Sequence, residues 1–157
     1  MSIQFSYETL LQQEKDLVFP SFDCDAAHKL GMMLIERARR ENKVIVVSIS
    51  IARQTIFHYA LGVLGPNSDN WLRRKANVVY EYHRSSLNFG TKLAMDNSSL
   101  EYQGRNPADF TVIGGGFPIR VKGLGVIGVV AVTGMPHVED HEYVTTAIAE
   151  YLSNLNA

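Results

Sequence analysis

Two β-branched runs separated by about three residues constrain this chain more than any other feature. Val44 to Ile51 places Ile45, Val47, Ile49 and Ile51 on one face and Val44, Val46, Ser48 and Ser50 on the other. That is the period of a strand covered on both sides. Thr55 to Leu61 follows after only Ala52-Arg53-Gln54, too short for the crossover that a parallel neighbour needs, so the pair reads as an antiparallel hairpin. A doubly wound parallel sheet, with a helix between all its strands, is thereby set aside.

The other elements are built around that hairpin. Ser6 caps a first helix to about Leu17, with Phe5 and Leu10 at the two staple positions. Ser21 or Asp23 caps a second, whose apolar stripe is Ala27, Leu30, Leu34, Ile35 and Ala38, with Glu36, Arg39 and Arg40 opposite and Asn42 as a left-handed stop. Asp69 or Asn70 caps a third helix that reaches roughly Ser85, followed by a shorter helical turn through Phe89 and Leu93. Phe110 to Ile113, Pro118 to Lys122 and Gly125 to Thr133 read as three strands in meander order. Pro136 starts the last helix, with Val144, Ile148, Leu152 and Leu155 as its buried stripe. The order predicts an α/β (α+β) fold, a three-layer α/β/α sandwich with a five-stranded, mostly antiparallel sheet, as one domain over residues 1–157.

Composition narrows the function classes. Of 157 residues, 46% are hydrophobic and 20% charged, which excludes disorder and coiled coil. Fifteen basic against sixteen acidic residues give a net charge of -1, so no global field draws the chain to nucleic acid or to an anionic membrane, and neither is expected as a partner. Met1 to Ser6 has no basic segment leading into an apolar one, and the aliphatic run Val126 to Val132 is too short to span a bilayer. A cytoplasmic location is the expectation. The single cysteine, Cys24, excludes a disulfide framework, and its neighbours Asp23 and Asp25 disfavour a reactive thiolate.

Several motifs are weighed by the chemistry they require. Gly123-Leu124-Gly125-Val126-Ile127-Gly128 matches the spacing of a dinucleotide fingerprint, but a strand follows it where a helix N-terminus would have to receive the pyrophosphate. It reads as a tight hairpin. Gly114-Gly115-Gly116 leaves backbone N–H groups uncovered, which suits a bulge or the close approach of a ligand carboxylate. Arg73-Arg74-Lys75 in the first turn of the third helix opposes the helix dipole, which an anion or a partner surface would relieve. His83 shares the buried stripe of that helix with Leu72, Ala76 and Val79, while Arg74 and Arg84 face the other way. His58 alternates with Ile56 and Ala60 and faces away from Phe57 and Tyr59, towards a pocket. His137 and His141 have a zinc-compatible spacing, but no third ligand is identifiable and packing is favoured, so no metal is expected.

At Gly115-Gly116-Phe117-Pro118-Ile119, then Gly123, Gly128 and Gly134, then Asp140-His141, the chain resembles the haem-degrading-domain family, also called GlcG/HbpS-like. Arg53 to Gly62, Trp71 to Asn77 and His83-Arg84-Ser85-Ser86 resemble the branch of it called UPF0303. The resemblance implies a profilin-like α/β sandwich that assembles into dimers or larger rings, with haem as the one cofactor it suggests. An axial donor would then come from His58, His83 or His141.

Together these readings favour a non-catalytic or weakly catalytic binding module for a small anionic molecule at an oligomer interface. Its candidate residues are Arg53, His58, Arg73, Arg74, His83, Arg84, Gly115, Gly116, Asp140 and His141. Haem binding with oxidative degradation is the enzyme-class alternative. An oligomeric adaptor, with Met32 and Met33 in a subunit contact, is the third.

Overall fold

A computed structural model describes residues 3–156. The elements run in the order α1 (Tyr7–Asp16), α2 (Cys24–Arg40), β1 (Ile45–Ile51), β2 (Gln54–Leu61), α3 (Asn67–Tyr82), α4 (Ser86–Met95), β3 (Gly116–Val121), β4 (Gly125–Thr133) and α5 (His137–Leu155). The sheet has four strands in the order β2-β1-β4-β3, and every neighbouring pair is antiparallel.

The hairpin forms because Ala52 and Arg53 both take positive φ, 49° and 66°, the two left-handed positions of a tight turn whose twist matches that of the strands. It pairs Ile51 with Gln54 and Ile45 with Leu61. The β1 alternation then sorts the layers. Ile45, Val47 and Ile49 join Leu30, Leu34 and Ile35 of α2 and Val144 and Ile148 of α5 in the main core. Val46 packs on the other face with Leu72 and Val79 of α3. Helices therefore cover both sides of the sheet, and the α2 stripe read from spacing is fully buried.

The helix caps follow the side-chain chemistry. Ser6 accepts a hydrogen bond from the Thr9 N–H at 3.1 Å and Asp23 accepts one from Ala26 at 2.8 Å. Asn42 takes φ 54° just beyond α2. The first helix has one buried residue, Leu10, and is tied down mainly by polar contacts. Gln13 meets His141 at 2.8 Å, and Glu14 accepts from the Ser85 N–H at 2.7 Å and from Arg120 at 3.2 Å.

Two expectations are corrected. Phe110 to Ile113 is irregular, so the sheet has four strands and not five. Side chains of α3 take its acceptors in place of a neighbouring strand: Arg74 donates to the Phe110 carbonyl at 3.1 Å and Asn77 to that of Asp109 at 2.9 Å. Val112 lies tight against α4, where a Cβ on Gly90 would stand 1.8 Å from its carbonyl oxygen. The third helix ends at Tyr82, three residues short of the expected Ser85, because His83 adopts a left-handed conformation, φ 58°. It also starts at Asn67, which moves Arg73, Arg74 and Lys75 out of the first turn and away from the end of the dipole.

Candidate functional site

The α3-facing side of β1 changes from Val46 to Ser48 and Ser50 along the strand. Small hydroxyl side chains cannot fill the space beneath α3, and a cleft of about 340 Å³ opens there. One end is closed by Tyr80, whose hydroxyl lies 2.8 Å from Ser50 Oγ and accepts the Arg53 N–H at 3.0 Å. The Arg53 guanidinium sits 4.6 Å from the centre of the Tyr80 ring and donates to Asn77 at 3.2 Å. That leaves most of its five N–H donors free. At the other end His58 Nε2 meets Asp69 at 2.9 Å, with the His58 side chain 42% exposed. A guanidinium, an imidazole backed by a carboxylate, and hydroxyls at Ser48 and Thr55 make a lining suited to a small carboxylate or phosphate.

The other candidate residues are distributed more widely. Arg73 borders the same cleft, but its guanidinium already donates to Asp109, Asn70 and the Ala108 carbonyl at 2.8 to 2.9 Å. Arg74 stacks over Trp71 at 4.1 Å and holds the Phe110 carbonyl. Both arginines thus anchor the 106–110 loop. His83 is exposed and does not lie on the buried stripe of α3, because the helix has already ended. Arg120 donates to its carbonyl oxygen. Arg84 lines a separate depression with Lys92 and Asp96.

The glycines do permit a close approach, but a lysine makes it. Gly115 has φ 128°, and a Cβ there would stand 2.7 Å from Lys75 Nζ. Lys75 is 1% exposed and donates to the Val132 carbonyl at 2.8 Å and to Asp140 at 3.1 Å. The second Asp140 oxygen accepts from the Met135 N–H at 3.1 Å. Burial pushes the Lys75 ammonium below its ordinary value and the Asp140 carboxyl up to about 6. His141 is fully buried between the Phe5 and Phe117 rings, and desolvation drives it down to about 3. His137 accepts from the Gly114 N–H through Nδ1 at 2.9 Å. The two histidines of the zinc-compatible spacing therefore turn to different partners.

Lys75 and Asp140 tie α3 to α5 across Gly115 and Gly116, so the glycine run, strand β3 and the Asp140-His141 pair form one structural unit. The family model described as haem degrading protein HbpS-like matches residues 22–149, which contain that whole unit. The chain belongs to the HbpS-like family. It is 38% identical over 153 residues to a UPF0303 protein of Serratia proteamaculans, covering 97% of this chain and 95% of that one. A UPF0303 protein of Acidobacterium capsulatum is 42% identical over 149 residues, with coverage of 94% and 90%. Among solved structures, the Ybr137w protein superposes with a TM-score of 0.88 at 19% identity, covering 95% of this chain and 89% of that one. A PduOC:heme complex superposes at 0.67 and 22%, covering 84% and 94%. These likenesses establish the fold.

Haem requires an axial donor and apolar walls. Of the three histidines named from sequence, His141 is sealed in the core, His58 is held by Asp69 in a polar cleft, and His83 stands on the surface. None has both features. His28, which sequence reasoning passed over, comes nearer: it borders a groove of about 590 Å³ between α2 and α5, lined by Met32, Met33, Tyr151 and Leu155 and also by Lys29, Glu36 and Asn154. In that groove His28 would be the donor and the Met32, Met33 and Leu155 side chains the walls. Lys75 was also missed as a buried residue, although its three- and four-residue spacing from Leu72 and Val79 was the available signal. No helix among the described residues is long and apolar enough to cross a membrane.

Proposed function

We propose that the protein is a binding module for a small anionic molecule, held in the cleft between the β1–β2 hairpin and α3. The observation that carries this reading is the placement of Arg53 and His58 at opposite ends of a cleft floored by Ser48 and Ser50. A carboxylate or phosphate group would bind the guanidinium through charge-assisted hydrogen bonds, and a second polar group of the same molecule would reach towards the imidazole. The hydroxyls would serve its remaining oxygens. One chain supplies both ends of the cleft, and a neighbouring copy that brought Arg74 and Arg84 to the rim would add cations to it.

The reading is tested by titrating the protein with inorganic phosphate and a panel of small mono- and dicarboxylates while following backbone amide shifts. Shifts should concentrate at Ser48, Ser50, Arg53 and His58. Arg53→Gln retains a donor for Asn77 but removes the charge, and should weaken binding about tenfold. Shifts scattered over the surface, or an affinity unchanged in Arg53→Gln, would reject the cleft as the site.

Haem binding is a second reading, favoured by the His28 groove and by membership of the HbpS-like family. When bound, haem would supply redox and oxygen chemistry, and this chain would supply an axial nitrogen and apolar walls. Purified protein mixed with stoichiometric haemin should show a shifted Soret band that is lost in His28→Ala. A band that stays unshifted in the parent protein removes the reading.

A further inference from the structure

The outward face of α2 carries an ordered charge pattern that the folded chain leaves unused. At about 100° per residue, Asp25, Lys29, Met32, Met33, Glu36 and Arg40 fall within an arc of about 100°. The four charged residues are exposed, and the two methionines are half-buried at the edge of the groove shared with α5. None of the four charges takes part in an ion pair among the described residues. Neighbouring α2 charges behave differently, since Arg37 is engaged with Glu41 and Glu142.

The order of signs is antisymmetric. The midpoint between Met32 and Met33 is also the midpoint between Lys29 and Glu36, and again between Asp25 and Arg40. A two-fold axis through that point, perpendicular to the helix, exchanges each position with one of opposite charge. We propose that α2 is a homodimerisation surface, on which two copies of this chain pack their α2 helices antiparallel with Met32 and Met33 at the dyad.

In that arrangement Lys29 of each copy faces Glu36 of the other, and Asp25 faces Arg40, giving four intermolecular pairs from one helix. A parallel pairing would set like charges against each other, so the pattern selects the orientation. Exposed ion pairs contribute little affinity individually. Here they fix register and direction, while the adaptable methionine side chains supply the apolar contact. An isologous contact needs this kind of self-complementarity, because the same patch must serve both partners. The patch overlaps the His28 groove, so a second copy and a haem would exclude one another there.

Sedimentation equilibrium of the full chain tests the proposal with exposed substitutions that leave the core intact. The parent protein should associate at micromolar concentration. Lys29→Glu and Glu36→Lys should each raise the dissociation constant about tenfold, since both dyad-related pairs become repulsive. An equimolar mixture of the two variants should recover association, because the carboxylate introduced in one variant then meets the ammonium introduced in the other across the interface. The double variant Lys29→Glu/Glu36→Lys should recover it as well. A parent protein that is monomeric at tens of micromolar, single variants that associate like the parent, or folded variants that do not recover on mixing would each overturn the proposal. None of these measurements involves Arg53 or a ligand, so the anion reading stands or falls separately.

Discussion

Asp140→Ala should cost the protein about 3–5 kcal/mol, a large part of the stability of a domain this size. Lys75 and Asp140 are 1% exposed, and the ammonium has only the Val132 carbonyl besides its carboxylate partner. Removing the carboxylate strands a cation where solvent cannot reach it and frees the Met135 N–H at the start of α5. Urea denaturation of the parent and the variant measures the loss. The double variant Lys75→Met/Asp140→Asn should regain at least about 2 kcal/mol, since it removes the buried charge and keeps an acceptor for Met135. An Asp140→Ala midpoint equal to that of the parent would mean that the pair does not hold α3 against α5.

Acid should destabilise the fold through His141. Its ordinary value is 6.5, and burial lowers it to about 3 in the folded chain. A group depressed in this way takes up its proton more readily when unfolded, so its contribution is complete above 6.5 and is lost as the pH falls towards 3. At pH 4 the loss is about 3 kcal/mol. Asp140, raised to about 6, acts in the opposite sense over part of the same range. The informative quantity is therefore the difference between the parent and His141→Phe, in which Asp140 is common. Between pH 6 and 4 the parent should lose stability more steeply by about 1.2 kcal/mol per pH unit. Parallel curves would show that the imidazole gains water or a partner on protonation.

Legibility in the sequence follows the range of the interactions. The β1 alternation, the five-residue α2 stripe and the hairpin all depend on spacing within a few residues, and each is readable with its correct faces. Phe110 to Ile113 misleads because its composition is that of a strand, while its fate is settled by Arg74 and Asn77 from an element more than thirty residues away. The same distance hides the work of Arg73 and Arg74, whose charge looks available until the 106–110 carbonyls take it. His83 is misplaced because a non-glycine residue in a left-handed conformation leaves no local signature. Arg53 and His58 line one cleft because both belong to the hairpin, but the serines that make room between them read only as a strand face.

The attachment of α1 has a consequence for how the molecule opens. A helix held by Leu10 and by a few side-chain contacts to Ser85, Arg120 and His141 can lift away while the sheet and its other helices stay closed. Hydrogen exchange at Tyr7 to Asp16 should then proceed by a local route, faster than in β1 or α2, and the departing segment would be the one that uncovers the imidazole behind Gln13. Protonation from solvent would reach the interior by that route first.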